Sequence, residues 1–257
     1  MGQLDGRVAL VTGGRRGIGR GISQLLAEEG AAVAVNYRRD ADSAAETVAM
    51  LEAAGAVARA YQCSVDDPDQ DARMVEAIVA DFGYIDILVN NGAIASRGLS
   101  VADTDPTEVG RVLASHAIGP HHLCRLVLPS MRTRERGDIV MVSSAATLHH
   151  RANGAPYNMG KAALEALAFT LAKEERRHNI HVNVAAPGLV DTDMGRRLAK
   201  AVNGADDIHE LDETSPFGRV CTPLDVARVV VWLCTDGAGY LTGQKVVVDG
   251  GGTLLSF

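Results

Sequence analysis

The sequence predicts an α/β fold: a single-domain, doubly wound, Rossmann-type parallel sheet with helices on both faces, spanning 1–257. Three observations predict it. Short continuous Val/Ile/Leu runs, such as Val8-Ala9-Leu10-Val11, have the unbroken apolar character of strands buried on both faces. Longer stretches with helical spacing of apolar residues alternate with them. No internal repeat and no Pro/Gly/Ser linker marks off a second unit.

The elements follow in order. Arg7 to Thr12 is a strand that stops at glycines, and Gly17 to Glu29 repeats its apolar residues as a helix does. The pattern recurs as strand Ala31 to Tyr37, helix Ala41 to Ala54, strand Val57 to Cys63 and helix Pro68 to Phe82. Ile85 to Val89, Asp138 to Val142 and His181 to Val184 are further β-rich runs, and Val246 to Val248 is the last strand. Helices are expected around Thr107 to Met131 and Pro156 to His178. The segment from Gly195 to Pro216 carries Asp206, Asp207, Glu210, Asp212 and Glu213. It reads either as a mobile substrate flap, at about 193–216, or as a solvated acidic loop.

Composition narrows the function. Lys plus Arg at 25 against Asp plus Glu at 32 gives a net charge of −7, which excludes a basic nucleic-acid-binding tail. Four Phe, five Tyr and one Trp are too few for a row of base-stacking platforms. Cys63, Cys124, Cys221 and Cys234 show no C-x-x-C spacing and read as reduced thiols. Asp5 and Arg7 precede the first apolar run, and no run approaches the ~18 apolar residues of a membrane span. The expectation is a cytoplasmic protein without nucleic-acid or membrane partners.

Thr12-Gly13-Gly14-Arg15-Arg16-Gly17-Ile18-Gly19 lies between the first strand and the first helix. Gly13 suits a tight turn, Gly17 lets the main chain approach a pyrophosphate, and Gly19 permits close helix-to-strand packing. Unpaired N–H groups and the helix dipole make the following helix start an anion site. The second strand ends in Asn36-Tyr37-Arg38-Arg39, with no acid to hold the adenine-ribose hydroxyls. Arg15, Arg16, Arg38 and Arg39 offer paired donors to a 2′-phosphate, so NADP(H) is favoured over NAD. Arg38 and Arg39 as a simple surface turn is the alternative.

Ser144 follows a strand, and Tyr157 and Lys161 stand four apart on one helix face. A cation beside a phenol favours the phenolate, so Lys161 is expected to lower the Tyr157 pKa by roughly 1 to 3 units. With Ser144 bonded to a substrate oxygen, the three residues would hold a carbonyl and protonate it as hydride arrives.

With the glycine turn, this set resembles the short-chain dehydrogenase/reductase family over essentially the whole chain, most nearly its 3-oxoacyl-carrier-protein reductase branch. Asn90-Asn91-Gly92-Ala93 is similar to the family's N-N-A-G with the last two residues exchanged, and Asp249-Gly250-Gly251 to its C-terminal ending. Pro187-Gly188-Leu189-Val190-Asp191-Thr192 resembles the loop at the nicotinamide end. The resemblance implies that Tyr157 is the general acid, that Lys161 holds the nicotinamide ribose and that Ser144 orients the carbonyl. It implies cofactor contacts at Gly13, Arg15, Arg16, Gly17, Ile18, Gly19, Tyr37, Arg38, Arg39, Ser64, Val65, Asn91, Gly92, Tyr157, Lys161, Pro187, Gly188, Val190 and Thr192. It also implies a homotetramer or homodimer.

Two positions depart from the family pattern. His116 stands where an Asn usually joins the proton relay, so it is either a modified relay member or a packing histidine. Ser64-Val65 replaces the Asp-Val that meets the adenine. His149, His150 and Arg151 fall where the family shapes its substrate entrance, and no spacing places a third metal ligand beside His121-His122 or His149-His150. Arg132, Arg134, Arg136, Arg176 and Arg177 offer charge to an acyl carrier, which the net charge of −7 opposes. The reading is an NADP-dependent reductase of a small-molecule carbonyl, whether a 3-oxoacyl thioester, ketone, sugar, steroid or polyketide. A non-catalytic NADP-binding sensor is the alternative.

Overall fold

The computed structural model describes residues 2–252. The chain alternates β1 (Val8–Val11), α1 (Gly17–Glu28), β2 (Ala32–Tyr37), α2 (Ala41–Ala53), β3 (Ala58–Gln62), α3 (Pro68–Phe82) and β4 (Ile87–Asn90). It continues with α4 (Pro106–Leu113), a π-helical turn (Ala114–Ile118), α5 (Gly119–Met131), β5 (Gly137–Val142), α6 (Ala146–His149) and α7 (Ala155–Glu175). β6 (Ile180–Pro187), α8 (Asp193–Asn203), α9 (Pro223–Trp232) and β7 (Lys245–Val248) complete it. Among the described residues, seven strands form one parallel sheet in the order β3-β2-β1-β4-β5-β6-β7.

Alternation along each strand sends side chains to two apolar layers. On one face, Val11, Val35, Val140 and Ala185 pack with Ile22 and Leu26 of α1 and Val226 and Val230 of α9. On the other, Leu10, Leu88, Ile139 and Val182 meet Ile78 of α3, Leu123 and Val127 of α5, and Leu164 and Ala168 of α7. The chain winds outward from β1 through β2 to β3, then restarts at β4 on the other side of β1. That reversal opens a crevice at the carboxyl ends of β1 and β4, where this class of sheet binds ligands. Among the described residues, no helix is long and apolar enough to cross a membrane.

The predicted doubly wound sheet is present, with three local differences. The helix expected at Thr107 to Met131 is broken by the π turn. Pro120 has no N–H to return to the His116 carbonyl, which removes one α-type bond at that turn. Second, α9 was not anticipated, because Val229-Val230-Val231 has the composition of a strand. Third, much of the segment read as either a mobile flap or a solvated acidic loop is regular. It forms α8 and a 3₁₀ stretch, Ile208–Thr214, over a small core of Ala199, Ile208 and Val220. Its acids serve as local ties: Asp207 caps the 3₁₀ stretch, accepting from His209 N at 3.0 Å, and Asp212 accepts from Val220 N at 2.8 Å.

Candidate active site

The glycine turn joins β1 to α1 beside the crevice. Gly17 has φ +52°, a conformation that disfavours a side chain, and α1 starts after Arg16 with no side-chain cap on its first N–H groups. A Cβ at Gly19 would lie 2.2 Å from the Gly13 carbonyl oxygen and 2.7 Å from Asn91 Nδ2, so the turn closes only on glycine. Thr12 Oγ1 accepts from Asn91 N at 2.9 Å and Gly92 N at 2.8 Å, and Asn91 Nδ2 donates to Thr12 O at 2.8 Å. Those bonds bind the Asn91-Gly92 segment to the glycine turn.

Sequence reasoning missed the part played by Asn36. Buried at the end of β2, it accepts from Gly13 N at 3.1 Å and donates to Tyr61 O and Cys63 O at 3.3 and 3.1 Å. It fastens the turn to β3. The available signal was a polar residue inside the apolar run Ala32-Val33-Ala34-Val35-Asn36.

The four arginines separate. Arg38 and Arg39 line a cavity of about 350 Å³ with Ser64, Asp66, Asp67 and Gln70, and Arg38 lies 3.7 Å from Asp66. Arg15 is ion-paired with Asp40, while Arg16 reaches across to Asp193 at 2.8 Å. Tyr37 is half-buried at the end of β2, and Ile18 packs against the α1 core. Ser64 donates to Asp66 through its hydroxyl and to Gln70 Oε1 through its N–H at 3.0 Å, and its carbonyl accepts from Asp67 N at 2.9 Å. The Val65 carbonyl rests against Gly119, where a Cβ would lie 1.8 Å from that oxygen.

At the carboxyl end of the sheet, Pro187 closes β6 and Gly188 N donates to Val248 O at 3.1 Å. Val190 is buried and Thr192 caps α8, accepting from Gly195 N at 3.1 Å. The Thr192 methyl would stand 3.2 Å from a Cβ at Gly17, so this loop lies directly over the glycine turn.

Ser144 follows β5, and Ser143 N and Ala145 N donate to Ala185 O and Pro187 O, both at 2.8 Å, which fixes the backbone on either side of it. Ser144 Oγ accepts from Ala146 N at 3.2 Å. Tyr157 and Lys161 lie one turn apart on α7, as predicted. The electrostatics differ from expectation. Lys161 Nζ donates to Val142 O at 2.7 Å and stands 5.9 Å from the Tyr157 ring centroid. Desolvation raises the pKa of Tyr157, and interaction with the Ser144 hydroxyl offsets only part of that. The expected lowering by Lys161 is therefore corrected: the ammonium is held by a backbone carbonyl, and the phenol keeps its proton. Lys161 itself is pushed down to about 8 by burial, against the charge of Glu165 one turn further along.

His116 is buried in the π turn. Its Nε2 lies 2.9 Å from Ile94 O and 3.2 Å from Ile94 N, and its ring meets Tyr157 edge-to-face at 5.2 Å between centroids. Nδ1 is buried without a hydrogen-bond partner among the described residues. A Cβ at Gly160 would lie 2.9 Å from that Nδ1, so α7 approaches the imidazole through a glycine. Burial, with Lys161 nearby, pushes the His116 pKa down to about 3, leaving a neutral ring. His149, at the end of α6, and His150 and Arg151, between α6 and α7, are exposed, with His150 in a left-handed conformation at φ +48°.

A doubly wound sheet with a capless helix start and a Ser-Tyr-Lys group at its crevice defines a dinucleotide-dependent oxidoreductase site. Residues 13–253 match the family model described as enoyl-(acyl carrier protein) reductase. The chain is 37% identical to versicolorin reductase 1 of Aspergillus parasiticus over 257 residues, covering 97% of each. It is 35% identical to tetrahydroxynaphthalene reductase of Pyricularia oryzae, covering 96% of this chain and 90% of that one. A 7α-hydroxysteroid dehydrogenase solved with NADH and 7-oxo glycochenodeoxycholic acid superimposes with a TM-score of 0.89 at 29% identity, over 97% of this chain and 95% of that one. The chain belongs to the short-chain dehydrogenase/reductase family and is an oxidoreductase.

Proposed function

We propose that this protein is an NADP(H)-dependent ketone reductase, able to run in reverse as a secondary-alcohol dehydrogenase. The observation that carries the reading is the convergence of Ser144, Tyr157 and Lys161 at one end of the crevice that starts at the glycine turn. The uncapped start of α1, with Gly17 at positive φ, fits a pyrophosphate. Arg38 and Arg39, beside Ser64 and with no acid at the end of β2, fit a 2′-phosphate. When bound, the dinucleotide supplies hydride from its nicotinamide C4.

The chain's own residues handle the proton. The Ser144 hydroxyl donates to the substrate carbonyl and orients it. Tyr157, its phenol protonated, is the acid that gives a proton to the oxygen as negative charge builds there. Lys161 holds the nicotinamide ribose and carries the positive charge that stabilises the phenolate left behind. His116 braces this arrangement through the Ile94 backbone and the Tyr157 ring, a positioning role in place of the relay Asn.

For the substrate, the tetrahydroxynaphthalene reductase name and the 7-oxo glycochenodeoxycholic acid of the hydroxysteroid dehydrogenase support a ketone on a ring system, whereas the description of the family model points to a carrier-bound thioester. Of the five arginines that offered charge to an acyl carrier, Arg132, Arg134 and Arg136 are paired with Glu175, Asp86 and Asp138, while Arg176 and Arg177 are exposed. A homodimer or homotetramer in the cytoplasm completes the proposal. Initial rates with cyclic diketones, polyphenolic ketones, steroid ketones and acetoacetyl thioesters, each with NADPH and NADH, test it. The expected result is turnover of a ring ketone with kcat/KM at least ~10-fold higher for NADPH, the size of one to two charged contacts. Equal or better use of NADH overturns the cofactor assignment. Tight NADPH binding with no turnover on any ketone supports the sensor instead.

A further inference from the structure

We propose that Glu165, counter-charged by Lys245, is a positioning residue of the reductase site. It holds the Ser144 segment in register with Tyr157 and Lys161 and keeps the Lys161 ammonium charged. The inference rests on the reductase reading and names a part of the site that the Ser-Tyr-Lys pattern does not contain.

The argument starts from register. Tyr157, Lys161 and Glu165 follow one another at four-residue spacing, so all three lie along one face of α7. Glu165 is 9% exposed, and a carboxylate so placed needs donors. It has three. Ser143 Oγ donates to Oε1 at 2.6 Å, Thr147 Oγ1 lies 2.8 Å from the same oxygen, and Lys245 Nζ donates to Oε2 at 3.0 Å. Lys245 Nζ also donates to Thr147 Oγ1 at 2.6 Å. Thr147 Oγ1 lies 2.8 Å from Ser144 O as well, and its single hydrogen serves one of the two oxygens at a time.

The partners are not arbitrary. Ser143 and Thr147 bracket Ser144, so one carboxylate grips the catalytic segment from both sides and ties it to the helix that carries Tyr157 and Lys161. Lys245 brings in β7, distant in sequence from both. An apolar substitute for such an ion pair is often as stable, so the network's distinctive contribution here is geometric and electrostatic.

Charge follows the same path. Facing Lys161 are Tyr157 and Glu165 from α7, the neutral His116 from the π turn and the Val142 carbonyl from β5. Glu165 is the only anion in that set, and it opposes the tendency of burial to discharge Lys161. Facing Glu165 are Lys161 from its own helix, Lys245 from β7, and the uncharged Ser143 and Thr147. Removing the anion and removing its counter-charge must therefore push Lys161 in opposite directions.

That opposition is the test. Full-length Glu165→Gln and Lys245→Met are compared with wild type in NADPH-dependent ketone reduction between pH 6 and 10. Glu165→Gln is expected to lower kcat roughly tenfold with KM little changed, and to move the alkaline limb to lower pH by about one unit. Lys245→Met, leaving Glu165 uncompensated, moves that limb to higher pH. Limbs that stay put, or that move together, overturn the proposal, because a merely structural role has no reason to split them. If Glu165→Gln fails to fold, Lys245→Met decides alone by the same criterion. If wild type reduces no ketone, the reductase reading fails separately. The pH titration of the Lys161 Cε signal in 13C-lysine-labelled protein then shows the same opposite shifts, or refutes them.

Discussion

Lys161 carries the first pH dependence. Burial favours its neutral amine and sets its pKa at about 8, so the ammonium is present below that value and lost as the pH rises through it. In the proposed reduction that charge stabilises the tyrosinate, so kcat is expected to fall with rising pH around 8. A profile flat from pH 6 to 10 would contradict this. His116 acts at the acid end, on stability. Its folded-state pKa of about 3 lies below the 6.5 of a free imidazole, so between those values the unfolded chain binds the extra proton. Stability is therefore fully present above pH 6.5 and is lost as the pH falls toward 3, by up to ~1.4 kcal/mol per unit from this one group. Asp71, raised to about 6 by burial, works in the opposite direction. Comparing wild type with His116→Asn cancels that contribution, and the Tm loss between pH 7 and 5 should be smaller in the variant. An equal loss would remove His116 as the cause.

Elements matter here chiefly where they approach one another closely. The carbonyl of Gly13 and the amide of Asn91 leave no room for a methyl group at Gly19, so α1 can reach the turn only with glycine there. Gly19→Ala must displace the turn or the helix start, and either movement re-aims the N–H groups proposed to receive the pyrophosphate. NADPH affinity by fluorescence titration should weaken at least ~10-fold, about 1.4 kcal/mol, with the far-ultraviolet spectrum retained. Unchanged affinity would show that the phosphates sit elsewhere. The π turn belongs to the same scale. It sits between α4 and α5, beside Gly160 of α7, so the imidazole is clamped by three segments. That clamp explains how a ring replaces a smaller amide without opening the site.

Across the whole molecule, the doubly wound parallel sheet was legible in the sequence because buried parallel strands leave continuous apolar runs, whereas the strand order that opens the crevice between β1 and β4 came only from the structure. The glycine turn, Ser144, Tyr157 and Lys161 were legible because their chemistry depends on local spacing. What escaped was long-range. No spacing reveals that the Val142 carbonyl claims the Lys161 ammonium, or that Lys245 reaches Glu165 across 80 positions. Asn36 was visible only as an oddity in an apolar strand, since its three backbone partners come from the glycine turn and β3. α9 was hidden by its own valines, whose burial against α1 overrides their strand preference. The regular structure of the acidic segment escaped because the caps and ties supplied by Asp207 and Asp212 read, one residue at a time, as solvated charge.

The central claim is that the Tyr157 phenol, still protonated in the folded protein, delivers the proton that completes ketone reduction. Single-turnover NADPH oxidation by wild type and Tyr157→Phe, with cofactor affinity measured in parallel, tests it most directly. The expected result is a rate at least ~10²-fold lower in the variant with NADPH binding essentially unchanged. A variant that oxidises NADPH within a few-fold of the wild-type rate would contradict it.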